Sequence, residues 1–311
     1  MSIPIENALT EAIAALSGGT AAFSGGAATL SAGAATLSAG GAALSRSESP
    51  RLDAQLLLSK VLDQPRVFLM THPEFLLTDS QYDEFLRHVQ QRATGYPIAY
   101  LLGQRDFWSL TLSVTSDTLI PRPETELLVE LACDFLRSCD FLQSCDSPCV
   151  LDLGTGSGAI ALAIAKEYKV AKVLATDISL AALQVAAKNA ERNRVHNVSF
   201  VVSDWFSALQ GSFSLIVSNP PYIASGDPHL LGDIRFEPQR ALVSPKKGLA
   251  DLYTIVSHSV SFLKRGGRIM LEHGFDQGEL VRGALMDQGF SEVSTYRDGA
   301  DLDRVSVGVL Q

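Results

Sequence analysis

Asn219-Pro220-Pro221-Tyr222 is the tetrapeptide whose residue types most narrowly restrict the chemistry open to this chain. Two consecutive prolines remove two backbone N–H donors and stiffen the loop, so the segment presents mainly acceptors. The Asn219 side-chain oxygen and the Pro220 carbonyl can each accept one hydrogen of a planar NH2 group, while Pro221 rigidifies the grip and the Tyr222 ring lies over the face of that group. An amide nitrogen is a poor nucleophile because its lone pair is delocalised into the carbonyl. Holding both hydrogens in fixed acceptors turns that lone pair toward an electrophile, and catalysis then comes from orientation and electrostatics, without a general base, metal or covalent nucleophile. An isolated tetrapeptide of this kind fits a rigid turn with a capping Asn better; its place among the other motifs favours the chemical reading.

The companion motif is Asp152-Leu153-Gly154-Thr155-Gly156-Ser157-Gly158, which follows an apolar strand and opens a helical pattern at 159–166. Gly154, Thr155, Gly156, Ser157 and Gly158 there offer exposed amides and close backbone approach to a nucleotide-like ligand. A dinucleotide enzyme uses a similar turn. Asp177 ends the next strand pattern, placing a carboxylate where ribose hydroxyls would lie. Ser203-Asp204-Trp205-Phe206 ends the third, supplying the Asp204 carboxylate to an adenine amino group and the Trp205 ring to its face. The bland alternatives are a packing role for Trp205 and a helix N-cap for Asp204. With Asn219 at the end of the fourth strand, the succession fits S-adenosyl-L-methionine, the Asn219 segment meeting both cofactor and acceptor. The Tyr222 face adds about 0.5–2 kcal/mol against a desolvated sulfonium.

Elements that alternate in type must position these residues. Strand patterns at 149–153, 172–176, 198–202, 213–218 and 268–272 interleave with helical patterns at 159–166, 180–192 and 252–263, after a helix over 124–136. Such alternation predicts an α/β fold, a parallel sheet with helices on both faces. Two further strands at 293–296 and 304–310 close the pattern. Upstream, helical spacing at 51–62 and 80–92 predicts a small helical domain, and 98–114 reads as a β-hairpin linking the two.

The chain's 311 residues and 46% hydrophobic content accommodate two domains. Its net charge of −9 is spread over both halves, so no stable nucleic-acid binding is expected. Cys133, Cys139, Cys145 and Cys149 include no CxxC pair and no histidine at metal-ligand spacing, which favours reduced thiols and no metal. Part of that cluster is a tandem copy, Cys139–Ser144 repeating Cys133–Ser138. Glu6 and Glu11 stand where a signal peptide would be basic, and a cytoplasmic location is expected. The uncharged run at 12–45 repeats a large apolar residue and Ser every seven positions, from Leu16-Ser17 to Leu44-Ser45. Its many glycines cost a helix about 1 kcal/mol each relative to Ala, and its Ala, Gly, Ser and Thr content is too weakly apolar for a membrane span. It reads as an expanded insertion without chemistry.

Together these motifs resemble the HemK/PrmC glutamine methyltransferases that modify peptide chain release factors. The similarity covers residues 46 to 311 and also carries Arg51-Leu52-Asp53-Ala54, Tyr100-Leu101-Leu102-Gly103, Arg235-Phe236-Glu237-Pro238 and Leu271-Glu272-His273-Gly274. The resemblance implies a Rossmann-like seven-stranded S-adenosyl-L-methionine-dependent domain at 119–311. It also implies a helical substrate-docking domain at 1–95 and a hairpin linker at 96–118. It implies cofactor contacts from Gly154 to Gly158 and at Asp177, Trp205 and Asn219. The substrate grip falls on Asn219 to Tyr222, and the acceptor is the glutamine of a Gly-Gly-Gln tripeptide in a release factor. Ile120-Pro121-Arg122-Pro123-Glu124-Thr125-Glu126 matches the release-factor enzymes rather than the ribosomal-protein type, which has Arg-Ser-Pro. The remaining rivals are an N6-adenine methyltransferase of DNA or RNA, since any planar NH2 suits the grip, and a scaffold that keeps the fold without turnover.

Overall fold

Residues 3–18, 47–138 and 147–311 are described by the computed structural model. The heptad repeat beyond its first residues, the tandem copy, Cys139 and Cys145 lie outside them. Cys133 and Cys149 are free thiols. None of the described helices is long and apolar enough to cross a membrane.

Contacts divide the chain into two units, one taking Pro228–Phe236 together with the described part of the first 103 residues. In this unit helices Ile5–Leu16, Pro50–Leu62 and Asp79–Ala93 enclose Ala8, Ala12, Leu57, Leu58, Phe85 and Val89. Helix Asp79–Ala93 begins where Thr78 and Gln81 form a reciprocal capping box, satisfying two otherwise orphaned N–H groups. Two short strands, β1 (Ile3–Pro4) and β2 (Leu76–Leu77), pair antiparallel beside it. An ion-pair network stitches the unit together: buried Arg92 meets buried Asp53 Oδ2 through Nε at 2.8 Å and the more exposed Asp233 Oδ2 through Nη1 at 2.9 Å. Arg235 also donates to the Thr94 carbonyl, and Phe236 meets Tyr96 edge-on, so the 228–236 segment belongs here despite its place in the sequence.

The hairpin expected over 98–114 starts later. Ile98–Leu102 is a short helix, begun after Pro97 and ended at Gly103, whose φ of +74° is the left-handed cap. Leu101 is buried in the helical core, which carries the first unit to Gly103, past the expected end at residue 95. The hairpin proper, β3 (Gln104–Phe107) with β4 (Leu110–Ser113), buries Phe107, Leu110 and Leu112 in the core of the second unit. Its inner residues are thus part of that unit's core.

The second unit carries a seven-stranded sheet built from β5 (Cys149–Leu153), β6 (Lys172–Asp177), β7 (Val198–Val202), β8 (Phe213–Ser218), β9 (Leu263–Glu272), β10 (Phe290–Arg297) and β11 (Asp303–Leu310). Its order is β10-β11-β9-β8-β5-β6-β7, parallel except where β11 pairs antiparallel with β9 and β10. This is the Rossmann-like methyltransferase arrangement. Central strands covered on both faces read as continuous apolar runs, and every residue of β8 is buried. Helices Glu126–Arg137 and Ala159–Glu167 contribute to one core cluster, and Ala250–Ser259 and Gly278–Asp287 to the other. The last of these was not legible in the sequence, and the helix expected to 263 ends at Ser259, where β9 takes over four residues later. The chain order reverses beside β5, which opens a crevice at the carboxyl ends of the neighbouring strands.

Candidate active site

That crevice is a cavity of about 510 Å3, within the range of small-molecule sites. Four strand ends supply its walls: Gly154 and Gly156 after β5, Asp177 ending β6, Ser203, Asp204 and Trp205 after β7, and Asn219 and Pro221 after β8. Thr155, Ser157, Gly158, Pro220 and Tyr222 stand in the same loops but do not line it.

The glycine turn is held from beneath. Asp152 is fully buried, and its Oδ2 accepts the Thr155 hydroxyl at 2.6 Å and the Ala161 amide at 3.2 Å. Burial pushes its carboxyl up to about 7, against the pull of those two donors. Gly154 and Thr155 donate their amides to the Thr176 carbonyl, locking the turn to β6. Gly158 sits at φ +87°, and a Cβ there would stand 3.1 Å from Ala186 and Leu162. Asn189, absent from the sequence reading, bridges this turn to the hairpin: its Nδ2 donates to the Ser157 carbonyl at 2.9 Å and its Oδ1 accepts from the Ser113 amide at 2.7 Å.

Asp177 accepts the Gly156 amide on Oδ2 at 2.9 Å and the Ser179 amide on Oδ1 at 2.8 Å. A carboxylate has about four lone-pair sites, so acceptors remain for ligand hydroxyls. Burial raises its pKa, offset by those amides and by the Arg240 charge. The Trp205 ring lies over Gly154, Cζ3 standing 3.5 Å from the position of a Cβ there. The turn after β7 is fastened by Ser203, whose Oγ accepts the Ala208 amide and donates to the Trp205 carbonyl. Asp204 is exposed and lines the cavity.

Asn219 donates its Nδ2 to the Thr125 hydroxyl at 3.1 Å, which directs Oδ1 the other way. Tyr222, expected over the face of the reacting group, instead packs half-buried against the apolar cluster between the sheet and helix Ala250–Ser259. Its hydroxyl donates to Glu272 Oε1 at 3.3 Å, and burial together with that carboxyl's charge raises its pKa. Its carbonyl accepts from Gln277 Nε2 at 3.0 Å and lies where a Cβ on Gly248 would come within 2.0 Å, so only glycine fits there. Tyr222 thus anchors the Pro-Pro loop rather than lining the cavity.

Sequence reasoning missed the far wall, formed by 116–119 and by Pro238, Arg240 and Val243. A signal existed in the neighbouring motifs. Glu237 of Arg235-Phe236-Glu237-Pro238 is buried, accepts the Ile120 amide at 2.9 Å and pairs with Arg122, drawing those two segments together.

The cavity fits S-adenosyl-L-methionine. The Asp177 carboxylate suits a ribose diol, Trp205 and exposed Asp204 suit an adenine face and its amino group, and the two glycines let the backbone approach closely. Among the described residues no cluster of three His, Cys, Asp or Glu side chains could hold a metal.

The Methyltransferase small domain family matches residues 133–234, and the PrmC N-terminal domain family matches residues 35–103. The release factor glutamine methyltransferase of Aliivibrio fischeri is 46% identical over 84% of this chain and 91% of its own length. The enzyme of that name from Escherichia coli is 47% identical over 84% of this chain and 93% of its own length. Among solved structures, the hMettl16 catalytic domain in complex with the MAT2A 3'UTR hairpin 6 is similar at a TM-score of 0.51, with 16% identity over 76% of this chain and 85% of that one, a likeness of fold alone. Sequence identity at this level and coverage makes this chain a member of the release factor glutamine methyltransferase family.

Proposed function

We propose that this protein transfers the methyl group of S-adenosyl-L-methionine to the side-chain amide N5 of the glutamine in the Gly-Gly-Gln tripeptide of a peptide chain release factor, in the cytoplasm. The observation that carries the reading is the Asn219 amide, tied at its NH2 end to Thr125 and therefore offering an acceptor at the cavity. When bound, the cofactor supplies an electrophilic methyl on a sulfonium. Asn219 Oδ1 and the Pro220 carbonyl accept the two amide hydrogens, and the stiff Pro220-Pro221 backbone keeps the two acceptors at a fixed spacing. The glutamine nitrogen's lone pair is then aligned before reaction, which lowers the barrier through orientation; the N–CH3 bond forms as the S–CH3 bond breaks with its electron pair left on sulfur, and one amide hydrogen then leaves as a proton to solvent. Asp177, Asp204, Trp205 and the 154–158 turn hold the donor; Tyr222 holds the loop.

Incubation with methyl-labelled cofactor and an unmethylated release factor, a copy lacking the Gly-Gly-Gln glutamine, and unmethylated DNA tests the assignment. Label mapped by peptide mass spectrometry to that glutamine alone is expected; label in DNA would move the acceptor to adenine. Asn219→Ala is expected to abolish transfer while circular dichroism stays unchanged, and near-normal turnover would overturn the orientation mechanism.

A further inference from the structure

Gln277 is the buried residue that precedes helix Gly278–Asp287, and its side chain joins three backbone segments. Its Oε1 accepts the Gly274 amide at 2.9 Å, while Nε2 donates to the Tyr222 carbonyl at 3.0 Å and to the Lys247 carbonyl at 3.3 Å. A backbone N–H only donates and a carbonyl only accepts, so these three partners admit one orientation of the amide and engage both of its N–H groups. Gln277 is itself held in place. Its backbone amide donates to the Gly274 carbonyl at 2.9 Å, and His273 Nδ1 donates to the same carbonyl at 2.8 Å.

The turn that Gln277 ties to Tyr222 has an unusual backbone. Lys246, Lys247 and Gly248 are three successive residues in the left-handed region, at φ +53°, +59° and +86°. Residues other than glycine disfavour that conformation, because Cβ approaches the following carbonyl oxygen. Both lysines are exposed, so burial of their side chains does not hold the turn. Its course brings Gly248 against the Tyr222 carbonyl, where a Cβ would stand only 2.0 Å away. The Tyr222 carbonyl is thus gripped from two sides, by the backbone of Gly248 and by the Gln277 amide.

Between Asn219 and Tyr222 the chain has few soft torsions, because both prolines fix φ. The course of the loop is therefore set by what holds its ends. Asn219 is tied to Thr125 at one end. Beyond the other, Ile223 donates to the Leu242 carbonyl at 2.9 Å and accepts the Ser244 amide at 3.0 Å, with the Tyr222 carbonyl held between. We propose that Gln277 is a positioning residue for methyl transfer: by gripping the Tyr222 carbonyl against the left-handed 246–248 turn, it fixes the Pro220 carbonyl at the spacing from Asn219 Oδ1 that an acceptor NH2 requires. Gln277 does not line the cavity, so it acts through the loop and not on the reacting atoms. This inference rests on the glutamine-methylating reading of the Asn219 loop, in which those two oxygens take the two amide hydrogens.

The test compares wild type with two variants of the full chain, using a release factor acceptor. Gln277→Met keeps the length of the side chain and removes all three of its hydrogen bonds. Gln277→Glu keeps its shape and an acceptor for the Gly274 amide, and its carboxylate lacks both donors. Both are expected to lower kcat by roughly 10- to 100-fold, the scale of loss when a group that orients the reacting atoms is misplaced by about 1 Å. Cofactor Kd and release factor KM should stay within about threefold, the pattern of an interaction felt in the transition state alone. Retention of kcat by both variants, with only the melting temperature lowered, would leave Gln277 a structural residue and overturn the proposal.

An independent arm needs no acceptor. Tyr222-Ile223 is the sole Tyr-Ile step in the sequence. Protein carrying tyrosine labelled with 13C at the carbonyl and isoleucine labelled with 15N therefore gives a single carbonyl-to-amide correlation, which reports the Tyr222 carbonyl. Loss of a hydrogen bond to that oxygen moves its 13C resonance upfield, and this shift is expected in both variants. An unmoved resonance would show that Gln277 does not grip Tyr222 in solution and would overturn the proposal whatever the acceptor. Should wild type methylate adenine and leave the glutamine untouched, the substrate reading alone fails, and kcat measured on that acceptor decides the role of Gln277 in the same way.

Discussion

Asp177 shows how one carboxylate can organise a turn and still line a cavity. Its two oxygens organise the amides of Gly156 and Ser179, and the remaining lone pairs face the cavity. Charge-assisted hydrogen bonds contribute roughly 1.5–3 kcal/mol each, so Asp177→Ala is expected to weaken cofactor binding by about 10- to 100-fold by calorimetry. An unchanged Kd would remove it from the site. Asn219 and Tyr222 divide labour in a way their adjacency conceals: the first presents an acceptor at the cavity, and the second fastens the loop to Glu272 and Gln277. Tyr222→Phe therefore deletes a fastening hydroxyl and leaves the ring packed where it is.

At the scale of elements, the turn after β5 rests on a buried acid that the fold keeps protonated well above its ordinary range. Asp152 ionises at about 7 in the folded chain and near 3.8 when unfolded. Between those values the unfolded chain releases the proton while the folded chain retains it, so stability falls as pH rises through that window and levels off above 7. Asp152→Asn does not titrate. Its melting temperature relative to wild type is expected to move in the variant's favour between pH 5 and pH 8, by about 5 °C in scanning calorimetry without cofactor. A constant difference across that range would mean Asp152 is ionised throughout. The Arg92 network works differently, since its charges are paired: Asp53 and Asp233 compensate a buried guanidinium and bring residues far apart in the chain into one unit.

For the whole molecule, the chain on either side of the heptad repeat returns to one place. The Ser47 amide donates to the Leu16 carbonyl at 3.3 Å, and the Ser47 hydroxyl donates to Asp53, the partner of Arg92. Replacing residues 19–46 by a four-residue Gly-Ser link therefore keeps the flanking hydrogen bonds. Closing a shorter loop is entropically cheaper by about 1–2 kcal/mol. The melting temperature is expected to hold or rise by a few degrees, with methyl transfer unaltered; a fall of more than about 5 °C would show that the repeat stabilises the helical unit.

Local chemistry made much of this protein legible without coordinates. The glycine turn, the acidic strand ends at Asp177 and Asp204, Trp205 and the Asn219 loop are each contiguous patterns, and the alternation of strand and helix orders them along one sheet edge. The motifs at Asp53, Arg235 and Glu272 were visible as motifs but mute about purpose, because their partners stand far away in sequence. Asp53 needs Arg92 and Asp233, Glu237 needs Ile120 and Arg122, and Glu272 needs Tyr222. Nor could periodicity separate Ile98–Leu102 from the hairpin that follows, since both are short and apolar. Sequence alone determined which groups could hold a cofactor and an NH2 group, because those groups are neighbours on strand ends. Tertiary structure decided which end of Asn219 faces the cavity and which residues bury unpaired acids, because hydrogen-bond direction and desolvation depend on side chains that only folding brings together.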